Sequence, residues 1–504
     1  MVIRDIFLLS PEISLAILAI FIIGLRISNF SSKVTTRLTL IGFVIPFVLV
    51  GLLWVEVNES QQINTLYSEG NLNFIIAGGN LSIDSLSLFF KMIFLIAGFL
   101  VILAASGDSE RKKYEKPEFY PLFISSLIGM MLLPSTNDMM TMYVSLELST
   151  LPMVTLAAFS ITKKSSESAL KFLILSAISS AILLYGIALV FGYLGTIEFD
   201  VLALGVQEAF SISESRSDIA IIMIGMIMII AGLGFKIALF PFHVWIPDVY
   251  EGAPIPITAF LSVASKAAGF GILLRVLNES FGALSVDWGM ILAILAVASM
   301  TFGNAAAIVQ SNIKRMLAYS TIAHAGYAVI GLAVALEGDI GATIYGVEVL
   351  LFFLIAYSFT NLGAFFSIMA ISGDDSMMEI DDLSGLRYRS PFIAGLMSFN
   401  LLSLTGIPPT VGFMAKLFIF FAAVKVGLTW LAVIGVVNSV VSAYYYFKVI
   451  RVIYTDVPEQ PNLINVSTNL KIAMMITASG VIVGGLWPDL VLHFAEIASK
   501  NIFY

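Results

Sequence analysis

A chain of 504 residues with 59% hydrophobic and 12% charged residues, against about 25% charged in an average soluble domain, excludes water as its main solvent. The formal charge of −8 comes from loop acids, and the lack of any basic cluster interleaved with aromatics excludes nucleic acid as a partner. The absence of cysteine excludes disulfides, thiolate metal sites and iron–sulfur ligation, so any electrons travel elsewhere.

Apolar segments of about 20 residues, the length that spans a bilayer, recur along the whole sequence and predict an all-α integral membrane protein of about fourteen transmembrane helices. In chain order these fall over 9–29, 36–56, 82–106, 119–136, 138–160, 167–195, 218–240, 255–280, 287–308, 314–336, 340–371, 391–422, 427–454 and 470–494. The first stretch, Leu8 to Ile27, lacks a small-residue cleavage pattern and reads as a retained helix. The weakest separations are Asn137 and the short Glu337 to Ile340 link. Orientation follows from Lys and Arg, which favour cytoplasmic loops. Of 26 such residues, 16 lie in loops after odd-numbered helices, from Arg26, Arg111, Lys112, Lys113, Lys164 and Arg315 to Lys471. Five lie in the opposite loops and five inside spans, so both termini are expected outside.

Two helices are interrupted. Pro241, Pro247 and Pro254 break the run from Gly232, and Pro408 and Pro409 sit in mid-span beside Gly406 and Gly412. Proline frees carbonyls that protein or water must satisfy at membrane depth. A simple kink is one reading. Paired broken helices around a midplane site, as in transporters built from repeats, is the other, and the ionisable residue within about two turns of each break favours it.

Charges inside the membrane cost at least about 2.5–3.5 kcal/mol each, so each needs a reason. Glu147 lies about nine residues into its helix and cannot snorkel. Lys236 lies a turn and a half before Pro241, Lys266 about eleven residues into the next helix on a face with Ser262, Ala264 and Gly269, and Lys416 just past the second break. A closed Glu147–Lys236 pair would favour proton uptake and a parted one release, which makes a switch; a packing salt bridge is the structural alternative. Lys171, four residues inside its helix, either snorkels or joins the path. Lys91 faces the same choice and stays outside the path, and Glu348 reads as interfacial. His324 and His243 are candidate proton relays or hydrogen-bonded structural histidines. No two histidines have metal-site spacing on one helix, so no metal is expected.

The run GFKIALFPFHVWIPDVYEGAP from Gly234 to Pro254, with NIKRMLAYSTIAHAGY from Asn312 to Tyr327, resembles the antiporter-like membrane subunits of respiratory complex I, over almost the whole chain. Those subunits are related to subunits of multisubunit cation/proton antiporters and membrane-bound hydrogenases. Lys416 in GIPPTVGFMAK stands where the M-type pattern has glutamate, and the chain stops without the lateral helix of the L type.

The resemblance implies three N-terminal helices over 1–118, two inverted five-helix repeats over 119–280 and 287–454, and a C-terminal helix over 470–494. It also implies a proton path with Glu147 and Lys236 as the interacting pair, Lys266 as central relay and Lys416 toward the exit. It places Lys171 among the functional lysines, and Lys91 and Glu348 match no motif position. The implied role is a proton-translocating subunit in a prokaryotic plasma membrane, with no redox chemistry in this chain. Flavin, iron–sulfur clusters and quinone are expected only in partner subunits, and the partners are an antiporter-like M subunit, small membrane subunits and lipid. A subunit of a cation/proton antiporter or of a membrane-bound hydrogenase is the alternative, and a scaffold with relic charges a third reading.

Overall fold

The computed structural model describes residues 3–28, 30–67, 74–76, 79–107, 116–212, 216–282, 285–337, 340–372, 379–455 and 463–500. Arg111, Lys112 and Lys113 of the orientation argument lie outside them. The protein is almost entirely helical, and eleven helices among the described residues are long and apolar enough to cross a membrane. A small antiparallel hairpin pairs Phe74 with Ile83 and Ile76 with Leu81.

Helix boundaries follow local capping chemistry. The Asp84 carboxylate accepts from Ser87 N while Ser87 Oγ accepts from Asp84 N, starting Ser85–Ser106. The division at Asn137 arises because Leu133–Ser135 tightens into a 3₁₀ turn and Asp138 then caps Met139–Ala157 through Met140 N and Thr141 N. Satisfying orphan N–H groups in this way fixes where a span begins.

Some boundaries differ from the sequence reading. The 36–56 helix is Ser32–Gly42 followed by Val44–Tyr67. The 391–422 helix is two, Pro391–Thr405 and Val411–Lys425, divided at its prolines. The last helix stops at Leu486, and a separate Pro488–Lys500 helix follows. Phe199–Ile212 is a further helix, too short to register as a span.

Burial ranks the spans. In their most apolar stretches Ile255–Ser280 is 100% buried, Ile313–Glu337 94% and Gly341–Ile371 89%, whereas Lys163–Leu194 and Thr429–Thr455 are 33% buried. Lys266 and His324 therefore sit on the innermost helices, where lipid cannot reach them.

Candidate functional site

The first break builds the Lys236 site. The Arg216–Ile237 helix ends one residue after Lys236, and Ala238 adopts a left-handed conformation (φ 65°). The carbonyl of Phe235 accepts from Ala238 N in the closing turn at 3.2 Å and from Trp245 Nε1 at 3.0 Å, at the start of the Trp245–Gly252 helix. Lys236, 6% exposed, donates to Ser149 Oγ and Thr150 Oγ1, each at 2.8 Å. Both hydroxyls donate in turn to the Leu146 carbonyl, which turns their lone pairs toward the ammonium.

Glu147 lies on the same helix as these hydroxyls, half-buried, and accepts from the Ser180 hydroxyl. It does not touch Lys236 in this conformation. Beside Lys236 lies a small cavity lined by Thr150, Ser176, Ser179, Ser180 and Ser265, of about 10 Å³, roughly one water molecule.

Lys266, 3% exposed, follows a π-helical turn at Leu261–Ser265, a local widening often found at functional sites. Its Nζ donates to the Thr321 carbonyl at 2.6 Å and lies 5.3 Å from the Tyr357 ring centre. One turn on, Gly269 lets the helix approach Lys236: a Cβ there would lie 3.1 Å from Lys236 Cγ and 2.6 Å from Ile237 Cγ2. Tyr357 bonds the Thr321 hydroxyl at 2.9 Å, and its ring centre is 5.2 Å from that of His324.

The second break presents Lys416, 5% exposed, to backbone acceptors. Its Nζ donates to the carbonyls of Leu404 and Thr405 and to Ser439 Oγ, all at 2.9 Å. The carbonyls belong to the last turn of Pro391–Thr405, which ends at left-handed Gly406 (φ 91°); a Cβ there would crowd Lys416 Cδ at 3.1 Å. His324 and Lys416 line a common space for about one water with Tyr357, Thr360 and Ser403. Lys236, Lys266, His324 and Lys416 thus form a succession in which neighbours are bridged by a packed turn, a tyrosine or a small cavity.

Lys171 and His243 stand apart. The Lys171 side chain is 44% exposed and pairs with Asp248 at 2.8 Å and Glu167 at 3.0 Å. That cluster continues through Arg315 Nη1, which reaches Asp248 at 2.8 Å and Glu251 at 2.7 Å, and through Lys164. Burial pushes the Asp248 and Glu251 carboxyls up, but hydrogen bonds from Lys171, Lys164 and Arg315 outweigh it and hold both below their ordinary values. The His243 ring packs on Phe240 and Phe302, and its buried Nδ1 has no hydrogen bond among the described residues.

The sequence reading missed the hydroxyl and carbonyl acceptors, the Asp248–Glu251–Arg315 cluster and two buried clamps. One is Lys91 with Glu12 at 2.8 Å; the other is Arg275 with Asp84 and Glu279, both at 2.7 Å. Among the described residues no group of three His, Asp or Glu is placed to hold a metal ion.

Buried amines at two helix breaks, within a bundle of membrane spans, define an antiporter-type membrane subunit. The description of the NADH:quinone oxidoreductase/Mrp antiporter transmembrane family matches residues 136–442. NADH-quinone oxidoreductase subunit N of Trichlorobacter lovleyi is 40% identical over 423 residues, covering 83% of this chain and 84% of its own length. Subunit N of Desulforamulus reducens is 36% identical over 497 residues, 98% of both chains. A chain of the solved respiratory complex I from Thermus thermophilus with bound aureothin superposes with a TM-score of 0.77 at 29% identity, covering 96% of this chain and 98% of that one. The chain belongs to this family and, within it, to the subunit N group.

Proposed function

We propose that this chain is a proton-translocating membrane subunit of a complex I type NADH-quinone oxidoreductase, coupled to electron transfer in partner subunits. One observation carries the mechanism: Lys236, Lys266 and Lys416 are each at most 6% exposed, yet none contacts a carboxylate among the described residues. Buried charges are ordinarily paired, because leaving water costs several kcal/mol per ion. Ammoniums held only by hydroxyls and carbonyls release a proton without stranding a buried anion. Lys91 and Arg275, each paired with acids, have the opposite arrangement and act as clamps.

Protons enter near Glu147 and Lys236, pass through Lys266 and His324, and leave past Lys416. Closing Glu147 on Lys236 favours uptake and parting them favours release. Fourteen helices, two five-helix repeats over 119–280 and 287–454 with equivalent breaks, and both termini outside a prokaryotic plasma membrane complete the reading. The names of the relatives at 36–40% identity favour it over a stand-alone antiporter.

The test uses the assembled complex in inverted membrane vesicles. Lys236→Ala and Lys266→Ala are expected to abolish NADH-driven acidification and depress quinone reduction while artificial-acceptor electron transfer continues. Parental pumping in both variants rules the path out.

A further inference from the structure

We propose that Tyr446 and Ser320 form a two-hydroxyl partner for His324 Nε2 that reverses with the charge of the ring, making both positioning residues of the relay. The inference rests on the reading of Lys266, His324 and Lys416 as a proton path. The Tyr446 hydroxyl, from the facing Thr429–Thr455 helix, lies 3.4 Å from His324 Nε2 and in short contact with Ser320 Oγ, one turn before His324 on its own helix. Tyr446 is 0% and Ser320 1% exposed, so no lipid or bulk water competes. The other ring nitrogen, Nδ1, is buried and has no hydrogen bond among the described residues. Tyr445, the preceding residue, donates its hydroxyl to Asn304 Oδ1 at 3.0 Å, and its ring packs on Tyr446 at 4.4 Å.

A neutral imidazole with bare Nε2 needs a donor there; an imidazolium donates from both nitrogens and needs an acceptor. A fixed donor or fixed acceptor would favour one state. A tyrosine hydroxyl serves either, provided its own proton has somewhere to go. With Nε2 bare, Ser320 donates to the Tyr446 oxygen and Tyr446 donates to Nε2. With Nε2 protonated, Tyr446 accepts from the ring and donates to Ser320 Oγ. No covalent bond changes in the pair and no heavy atom moves, since only two O–H groups rotate. The titratable groups facing the ring are Lys266, Tyr357 and Lys416 from neighbouring helices, Tyr446, and Tyr327 on its own helix. Among the described residues no carboxylate faces the ring, so this pair is its means of accommodating its own charge.

The experiment measures NADH-driven acidification by the full complex in inverted vesicles from pH 6 to 9. Tyr446→Phe removes the acceptor for the charged ring, so its alkaline limb is expected to move about one unit to lower pH, with about tenfold slower pumping at pH 8 and near-parental pumping at pH 6. Ser320→Ala should move the limb the same way by less, and Ser320→Thr should restore the parental profile. Should Tyr446→Phe fail to assemble, Ser320→Ala and Ser320→Thr decide. A parental profile in Ser320→Ala, or a loss equal at all pH values, overturns the proposal. If Lys266→Ala and Lys416→Ala pump normally, the path itself is wrong, an outcome distinct from the failure of the hydroxyl pair alone.

Discussion

Replacing Lys91 by methionine should damage the protein far more than replacing Lys236, although both lysines are buried, at 0% and 6% exposure. Lys91 Nζ lies 2.8 Å from Glu12 Oε1, and no other group among the described residues bonds either Glu12 oxygen. Lys91→Met leaves that carboxylate buried and uncompensated, at a cost of about 3–5 kcal/mol. This is a large fraction of a typical total of roughly 5–15 kcal/mol. The double variant Lys91→Met/Glu12→Leu removes both charges and should recover most of the loss, since apolar replacement of a buried pair is often neutral or favourable. Lys236→Met strands nothing, because Ser149 and Thr150 keep their bonds to the Leu146 carbonyl. It loses two hydrogen bonds to a charged group, about 1.5–3 kcal/mol each. Escaping the burial penalty of an ion, several kcal/mol, offsets most of that. The assay compares the yield and thermal midpoint of the purified complex with vesicle pumping. Lys91→Met should lower yield and midpoint, the double variant should restore them, and Lys236→Met should keep both while pumping stops. A Lys91→Met complex as stable as the parent, or a Lys236→Met complex as unstable as Lys91→Met, refutes the division into clamps and carriers.

Ser149→Ala and Thr150→Val each remove one acceptor from the Lys236 ammonium, worth about 1.5 kcal/mol or one pH unit, so the alkaline limb of pumping should move about one unit lower in each and further in the double variant. Lys416→Arg keeps a cation near the Leu404 and Thr405 carbonyls but removes its ability to release a proton, so the complex should assemble and pumping by vesicles should fall at least tenfold. Asp248 and Glu251 have depressed carboxyl pKa values, so their stabilisation is present above the ordinary carboxylate range and disappears as pH falls through their lower folded values. Thermal midpoints of the parent should therefore drop on acidification below about pH 4.5, and a double Asp248→Asn/Glu251→Gln variant should lose that part of the dependence.

The spans were legible because 20 apolar residues leave few alternatives, and the breaks because proline in such a run removes a backbone donor and an ionisable residue lies within about two turns of each. Lys236, Lys266 and Lys416 stood out through the cost of a charge at membrane depth. Their partners did not, since every residue carries a carbonyl like those of Thr321, Leu404 and Thr405, and Ser149 and Thr150 resemble the many hydroxyls that bond their own helix. Lys91 and Glu12 lie on different spans, so their pairing depends on packing that no local pattern encodes. Lys171 illustrates the reverse: depth left it open between snorkelling and the path, the resemblance placed it among the functional lysines, and its pairing with Glu167 and Asp248 was visible only once the helices were packed. Asp248 and Glu251 passed unremarked because a short helix after a break looks like an ordinary loop until Arg315 is seen to reach both.

The acceptors around the buried amines share a property that the clamps lack. The carbonyls of Leu404 and Thr405 are helix-terminal groups at the negative end of a helix dipole, so they attract the Lys416 ammonium with partial rather than full charge. The hydroxyls at Lys236 do likewise. A full carboxylate in contact would hold the proton through every cycle, and bare hydrocarbon would never admit it. Partial charges lie between these limits, which keeps the two protonation states close enough in free energy for a modest rearrangement elsewhere to tip them. At Lys416 the helix break is the structural means to this end: it brings the Leu404 and Thr405 carbonyls to a depth where an intact helix would have spent them on its own hydrogen bonds. Arg275 shows the contrasting arrangement, with a guanidinium that keeps its proton and two acids against it, Asp84 and Glu279, a set suited to fastening helices and unable to carry a proton between them.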